Sequence, residues 1–344
     1  MRFHAHRNIR FLAGFLMTFS AGLALLCFSP YASDRYLIPA AGIYVDSYQH
    51  DAMLPDLDHG ISPLADAVRA ADVLIIGSSK ALFGISAQIL NERFRQEGLR
   101  FFNLGIGGGE GAAAASRIID RLDLRRKVLL VNLDDSMVSE IRKPRLVDAV
   151  RLDWFQAATR VVSVRLAAIG DTFLDHLGLP QLSVDARGIA LSERAVSRTY
   201  RDAVTGDAIS ATRAGLQPAG QLRLPPAPAG AMLATGLLQR PRLRGIVEEW
   251  KSRGMQLVFL AIPYGTGDAA TNNYNPALAA EAARLYGGEH VDLDWRSAVS
   301  IDGIHVDRET RRMLSENLAE QLADPTRGFA ARALLLRNSV LGAD

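Results

Sequence analysis

The sequence predicts an α/β protein built on a parallel sheet with helices packed on both of its faces. Three observations lead there. Short apolar runs alternate with segments of helical periodicity; the helical segments are about a dozen residues long, the length of a crossover between parallel strands; and glycine- and serine-rich turns follow the apolar runs. Strands buried on both faces read as continuous apolar runs, and this sequence contains several of them.

The elements follow in order. Asp72-Val73-Leu74-Ile75-Ile76 is a buried strand ending at Gly77, and residues 86–97 carry a helical repeat. Arg100 to Leu104 is a second strand, followed by a glycine-rich turn, and Gly111 to Leu122 is a second helix. Val128 to Leu133 is the third strand. Residues 242–253 form a helix, 256–262 a fourth strand, 276–286 a helix, 290–293 a fifth strand and 307–322 a closing helix. Between the third and fourth strands lies a large insertion, 134–238, helical over 147–177. Its Pro- and Gly-rich passage 217–230 excludes regular secondary structure. The insertion reads as a cap beside the carboxyl edge of the sheet. The α/β domain spans 71–324, preceded by an irregular lead-in, 34–70, and followed by a C-terminal tail, 325–344.

Composition narrows the function. The chain has 344 residues, enough to bury a large core, and its net charge of +2 gives no basis for nucleic-acid binding. One cysteine, Cys27, leaves no disulfide framework and no cysteine-based metal site. The scattered histidines suggest no metal cluster either, and the sequence implies no cofactor.

Residues 1–33 read as a cytoplasmic tail and a signal-anchor helix. Arg2, Arg7 and Arg10 precede the uncharged run Phe11 to Ser29, which spans about 28 Å as a helix, enough for a bilayer core. Basic residues before the run and Asp34 as the first charge after it orient the N-terminus to the cytoplasm and the rest of the chain outside. The expectation is a single-pass protein of a bacterial inner membrane with a periplasmic domain. A cleaved signal peptide is the competing reading, although no small-x-small site stands near Pro30 to Ser33.

In an open parallel sheet, sites form beyond the carboxyl ends of the strands, and the unusual residues of this chain fall there. Strand one delivers Gly77-Ser78-Ser79-Lys80, strand two Asn103 and the run Gly105 to Gly109, and strand three Asp134-Asp135-Ser136. The last strand leads to Asp302-Gly303-Ile304-His305. A serine hydroxyl becomes a nucleophile when a base takes its proton, and a histidine needs a carboxylate to fix its tautomer. Asp302 and His305 supply both from one turn. Amides of a glycine-rich turn and of a helix start can hold an oxyanion. Ser79 also gains from the positive end of the helix that it begins. The glycine cluster does not read as a dinucleotide fingerprint, because it follows the second strand rather than the first and no acidic residue closes a next strand in the way that fingerprint expects.

Gly77-Ser78-Ser79, Asn103 with Gly108, and Asp302-Gly-Ile-His305 resemble blocks I, II and V of the SGNH/GDSL hydrolase superfamily, in the same order, over about 71–135 and 242–323. The Gly-Ser-Ser form is similar to that of membrane-anchored relatives such as the teichoic acid D-alanine transfer protein, and the architecture resembles that of the alginate-type O-acetyltransferases. The resemblance implies a flavodoxin-like three-layer α/β/α SGNH fold and a serine esterase or O-acyltransferase. Ser79 is then the nucleophile, His305 the base and Asp302 its orienting partner, with the amides of Ser79 and Gly108 as the oxyanion hole. The substrate implied is an acyl ester of a cell-envelope or exported polysaccharide, with a membrane-bound acyl-transfer partner as a candidate.

Two departures stand out. Ser78 replaces the aspartate of block I, and Asp135 or Asp134 falls where block III carries its oxyanion-binding asparagine. A site with two backbone donors, a protonated carboxylate, and a carboxylate that binds a substrate hydroxyl or amine are all open; so is a helix cap. Asn103, Asp134, Asp135, Lys80 and Tyr264 are the candidate substrate-binding residues. Polar surface is the competing reading for Lys80 and for Tyr264 with Asn272 and Asn273. The altered block III also motivates an alternative function, a catalytically inactive SGNH-like protein that binds glycan or scaffolds an envelope assembly.

Overall fold

A computed structural model describes residues 53–61, 64–106, 111–134, 152–163, 181–185, 188–192, 198–202, 204–211, 222–223, 238, 241–262, 277–294, 298–300 and 306–341. Helices α1 (Met53–His59) and α2 (Leu64–Ala70) lead into strand β1 (Val73–Ile76). Helices α3 (Ser79–Gly84) and α4 (Ala87–Arg93) follow, then β2 (Phe101–Asn103), α5 (Gly111–Arg121) and β3 (Val128–Asn132). The insertion contains a helical stretch, 154–163, and two antiparallel hairpins. The first pairs β4 (Gln181–Asp185) with β5 (Gly188–Ser192), and the second β6 (Arg198–Arg201) with β7 (Ala208–Ala211). Strand β8 (Leu222–Arg223) comes next. The chain then returns through α6 (Pro241–Ser252), β9 (Gln256–Leu260), α7 (Ala277–Tyr286), β10 (Glu289–Val291), β11 (Val299–Ser300), α8 (Arg308–Ala323) and α9 (Phe329–Leu341).

Five strands form one parallel sheet in the order β10-β9-β3-β1-β2. The expected α/β class with a parallel sheet is therefore observed. Every second side chain of a strand faces one side, and both sides are covered. Leu74, Ile76, Leu129, Val131, Leu257 and Phe259 pack under α1, α2, α5, α6 and α7. Val73, Ile75, Val128, Leu130, Val258 and Leu260 pack under α3, α4, α8 and α9. Because β1 pairs with both β2 and β3, the winding direction reverses at β1/β3. A sheet of this order opens its ligand crevice at that switch point, outside the carboxyl ends.

Three features differ from the sequence expectation. The lead-in, 34–70, contains α1 and α2, each of seven residues and separated by Gly60, whose φ is +60°. Helices this short do not complete the repeat that identifies a helix in sequence, yet Leu54, Leu57, Leu64 and Val68 are buried in the core. The tail, 325–344, contains α9, whose Phe329 meets Phe94 and Phe101 with ring centroids 5.9 and 6.3 Å apart. The packed unit thus extends on both sides of 71–324. Finally, Leu222–Arg223 in the Pro-rich passage pairs with Val299–Ser300, a two-residue bridge too short to leave a pattern.

Among the described residues no helix is long and apolar enough to cross a membrane. The run Phe11 to Ser29 and Cys27 lie outside the described residues.

The amino edge of the sheet holds a half-buried cation. Lys127 Nζ donates to Arg69 O at 2.8 Å and to Ala71 O, covering carbonyls at the end of α2. Burial pushes its ammonium below the ordinary lysine range, with Asp72 opposing and Arg100 reinforcing the shift. As pH rises, the folded state gives up this proton before the unfolded state does, so the contribution of Lys127 to stability improves with pH until both states are neutral. Urea titrations should show wild type gaining on a Lys127→Met variant between pH 7 and about 10; a difference independent of pH would contradict the shift.

Candidate active site

The site is built where β1 and β3 emerge together, Ile76 standing opposite Val131. Gly77 is required at the first step. A Cβ there would lie 2.6 Å from Ala81 Cβ and 3.0 Å from Asn132 Cβ, so only glycine lets the chain pass between α3 and β3. Ser78 then caps α3, its Oγ accepting from Lys80 N at 3.2 Å. Ser79 is the first residue of α3 and is only 7% exposed.

The two departures from the block pattern meet here. Ser78 Oγ donates to Asp134 Oδ2 at 2.5 Å, and Asn132 Nδ2 donates to the same oxygen at 3.0 Å. Asn132 Oδ1 in turn accepts from Ile262 N at 2.8 Å. One buried chain of bonds thereby joins the carboxyl ends of β1, β3 and β9. Asp134 is 2% exposed and braces strand ends. Its carboxylate is engaged with these two donors, and the residues that follow it, 135–151, lie outside the described ones.

Asn103 is fully buried and turns toward α3. Its Nδ2 donates to Ala81 O at 3.2 Å and Ile85 O at 2.9 Å, while its Oδ1 accepts from Gly105 N at 2.9 Å. The turn after β2 lies against α3: a Cβ on Gly105 would fall 2.6 Å from Leu82 N. Ile106 N donates to Gly77 O at 2.9 Å, carrying the turn alongside the Ser79 segment. Lys80 is half-buried at the same helix start.

Gly108, Asp135, Tyr264, Asp302 and His305 lie outside the described residues, as do Asn272 and Asn273. The chain on either side of Asp302 and His305 is described. Asp307 N donates to Val299 O at 3.0 Å, and Val299 N to Thr310 Oγ1 at 2.9 Å, which ties β11 to the start of α8. Asp307 caps α8 by accepting from Thr310 N at 2.8 Å. Helix α8 packs against α3 and α4. The structure thus brings together Ser79, Asn103 and Asp134, with Lys80 at their rim. Among the described residues no three His, Cys, Asp or Glu side chains gather as a metal site.

Sequence reasoning passed over Asn132 and the partner of Ser78. An amide inside an otherwise apolar strand was a usable signal for Asn132, because a buried polar side chain must find partners. Nothing in the local sequence announces the bond between Ser78 and Asp134.

These features define an α/β protein with a serine-headed helix at the switch point of its sheet. Comparison of the chain with known protein-family models finds no match, and comparison with curated proteins finds none.

Ser78→Ala tests the brace. It removes a helix cap, worth about 1 kcal/mol, and one donor to a buried carboxylate, worth about 1–3 kcal/mol. Urea unfolding should show a loss of about 2 kcal/mol. An unchanged midpoint would dissociate Ser78 from the strand ends.

Proposed function

We propose that the protein is an SGNH-type serine esterase or O-acyltransferase, held at the membrane by its N-terminal helix and acting outside the cytoplasm. Its substrate is an acyl ester of a cell-envelope or exported polysaccharide. The observation that carries this reading is the position of Ser79, first in the helix that follows the interior strand β1 and beside the switch point between β1 and β3. The packing of α8, whose first residue Arg308 is three after His305, against α3 is a second support.

In this mechanism Ser79 Oγ attacks the acyl carbonyl carbon while His305 takes its proton, Asp302 orienting the imidazole. The carbonyl oxygen becomes the oxyanion, held by the amides of Ser79 and Gly108. As the intermediate collapses, the bond to the leaving alcohol breaks and His305 returns the proton to that oxygen. A water or sugar hydroxyl then gives its proton to His305, attacks the acyl-serine and carries the acyl group away, restoring Ser79.

The second reading, an inactive glycan-binding or assembly protein of the same fold, is favoured by the near-complete burial of Ser79 and by the Asp134 carboxylate close to the rim. A fluorophosphonate probe applied to the full chain in detergent separates the two. A catalytic serine is labelled, and the adduct maps to Ser79; a chain that stays unlabelled favours the binding protein.

A further inference from the structure

We propose that Asp207, in the insertion, is a positioning residue for Ser79, acting through Arg311 and the junction between α3 and α4; the inference rests on the catalytic reading of Ser79. Asp207 is 5% exposed, and four donors converge on its carboxylate. Oδ2 accepts from Ser86 Oγ at 2.8 Å and Gln88 N at 2.9 Å. Oδ1 accepts from Ala87 N at 2.8 Å and lies 3.0 Å from Arg311 Nη2.

The same guanidinium reaches α3. Arg311 Nη2 also donates to Ile85 O at 3.2 Å, and Ile85 is the residue that caps the end of α3. Ile85 O accepts from Asn103 Nδ2 as well, and Ser86 N donates to Ser315 Oγ of α8 at 2.8 Å. Since α3 has only six residues, fixing its last turn fixes its first, where Ser79 stands.

The turn that presents Asp207 is itself locked to the end of β2. Asp202 Oδ1 accepts from Val204 N at 2.8 Å and Thr205 N at 2.7 Å, forming the turn. Thr205 O accepts from Asn103 N at 2.7 Å. Gly206, with φ +70°, passes so near that a Cβ would lie 2.3 Å from Asn103 O. The insertion therefore grips β2, α3, α4 and α8 at one point. Ser86 already caps α4 with its own hydroxyl, accepting from Ile89 N at 3.4 Å, so capping alone does not call for a charged residue from a distant segment. A buried ion pair contributes little net stability, and its best-attested use is to fix register. Here the register fixed is that of the nucleophile helix against the turn after β2.

The test uses the full chain in detergent with Asp207→Asn, Arg311→Met and the double variant. Asparagine preserves the shape and a capping acceptor while removing the charge. Each single variant should slow fluorophosphonate labelling of Ser79, and kcat on an activated acetyl ester, by about tenfold at unchanged KM. The double variant should be no slower than the singles, as expected for one shared linkage. Amide hydrogen exchange over 79–85 should accelerate in all three. Labelling per folded molecule equal to wild type would overturn the proposal and leave Asp207 a stability residue. If wild type itself is not labelled, the catalytic reading fails. Exchange then decides the mechanical linkage alone: local acceleration over 79–85 supports it, and unchanged protection overturns it.

Discussion

Ser79→Ala is expected to lower turnover of an activated acetyl ester by about 10⁴-fold or more, to the level of the background reaction. The size follows from the role. Without the hydroxyl no acyl-enzyme can form, and the base and its orienting carboxylate have no serine proton to take. What survives is whatever the oxyanion site and substrate binding contribute on their own. The substitution removes one oxygen from a residue at the start of α3, where alanine is well tolerated, so the fold should persist. Thermal unfolding measured beside the kinetics checks this. Equal activity in wild type and variant would sink the nucleophile assignment, and the binding-protein reading would take its place.

The sheet was readable because strands buried on both faces have to be continuously apolar. Val73–Ile76, Val128–Val131 and Leu257–Leu260 meet that demand with no polar side chain. The position of Ser79 was readable for the same reason: a glycine and two serines directly after such a strand mark its carboxyl end. The helices α1, α2 and α9 were not, because two are under two turns long and the third, Phe329–Leu341, is apolar on several sides, with Leu335 exposed beside half-buried Leu334 and Leu336. The brace at Ser78 and the cluster around Asp207 were hidden for another reason. Ser78 with Asp134, and Asp207 with Ser86 and Arg311, join segments far apart in the chain, and no local pattern encodes a partner across such distances. Sequence exposes what a residue must do with its own neighbours; long-range polar pairing becomes visible only once the backbone is placed.

Asn103 shows how that changes a residue's role. As a polar residue at the end of a strand beside the site, it reads in sequence as a candidate for substrate. In the fold both Nδ2 hydrogens are committed to Ala81 O and Ile85 O, and Oδ1 to Gly105 N, all buried. Asn103→Ala would remove three buried hydrogen bonds, while Ala81 O keeps Ile85 N and Ile85 O keeps Arg311 Nη2. Each lost bond costs about 1 kcal/mol, so a total of about 3 kcal/mol is expected. Melting should fall by about 6–12 °C, at about 2–4 °C for each kcal/mol in a domain of this size. Asn103→Asp should cost more, because it deletes both donors and sets a carboxylate against two carbonyl oxygens. A substrate-binding asparagine would behave in the opposite way, raising KM several-fold and leaving the melting temperature in place. Kinetics at a temperature where both proteins are folded, set beside calorimetry, therefore decide between a side chain that meets the ligand and one that holds the helix on which Ser79 stands.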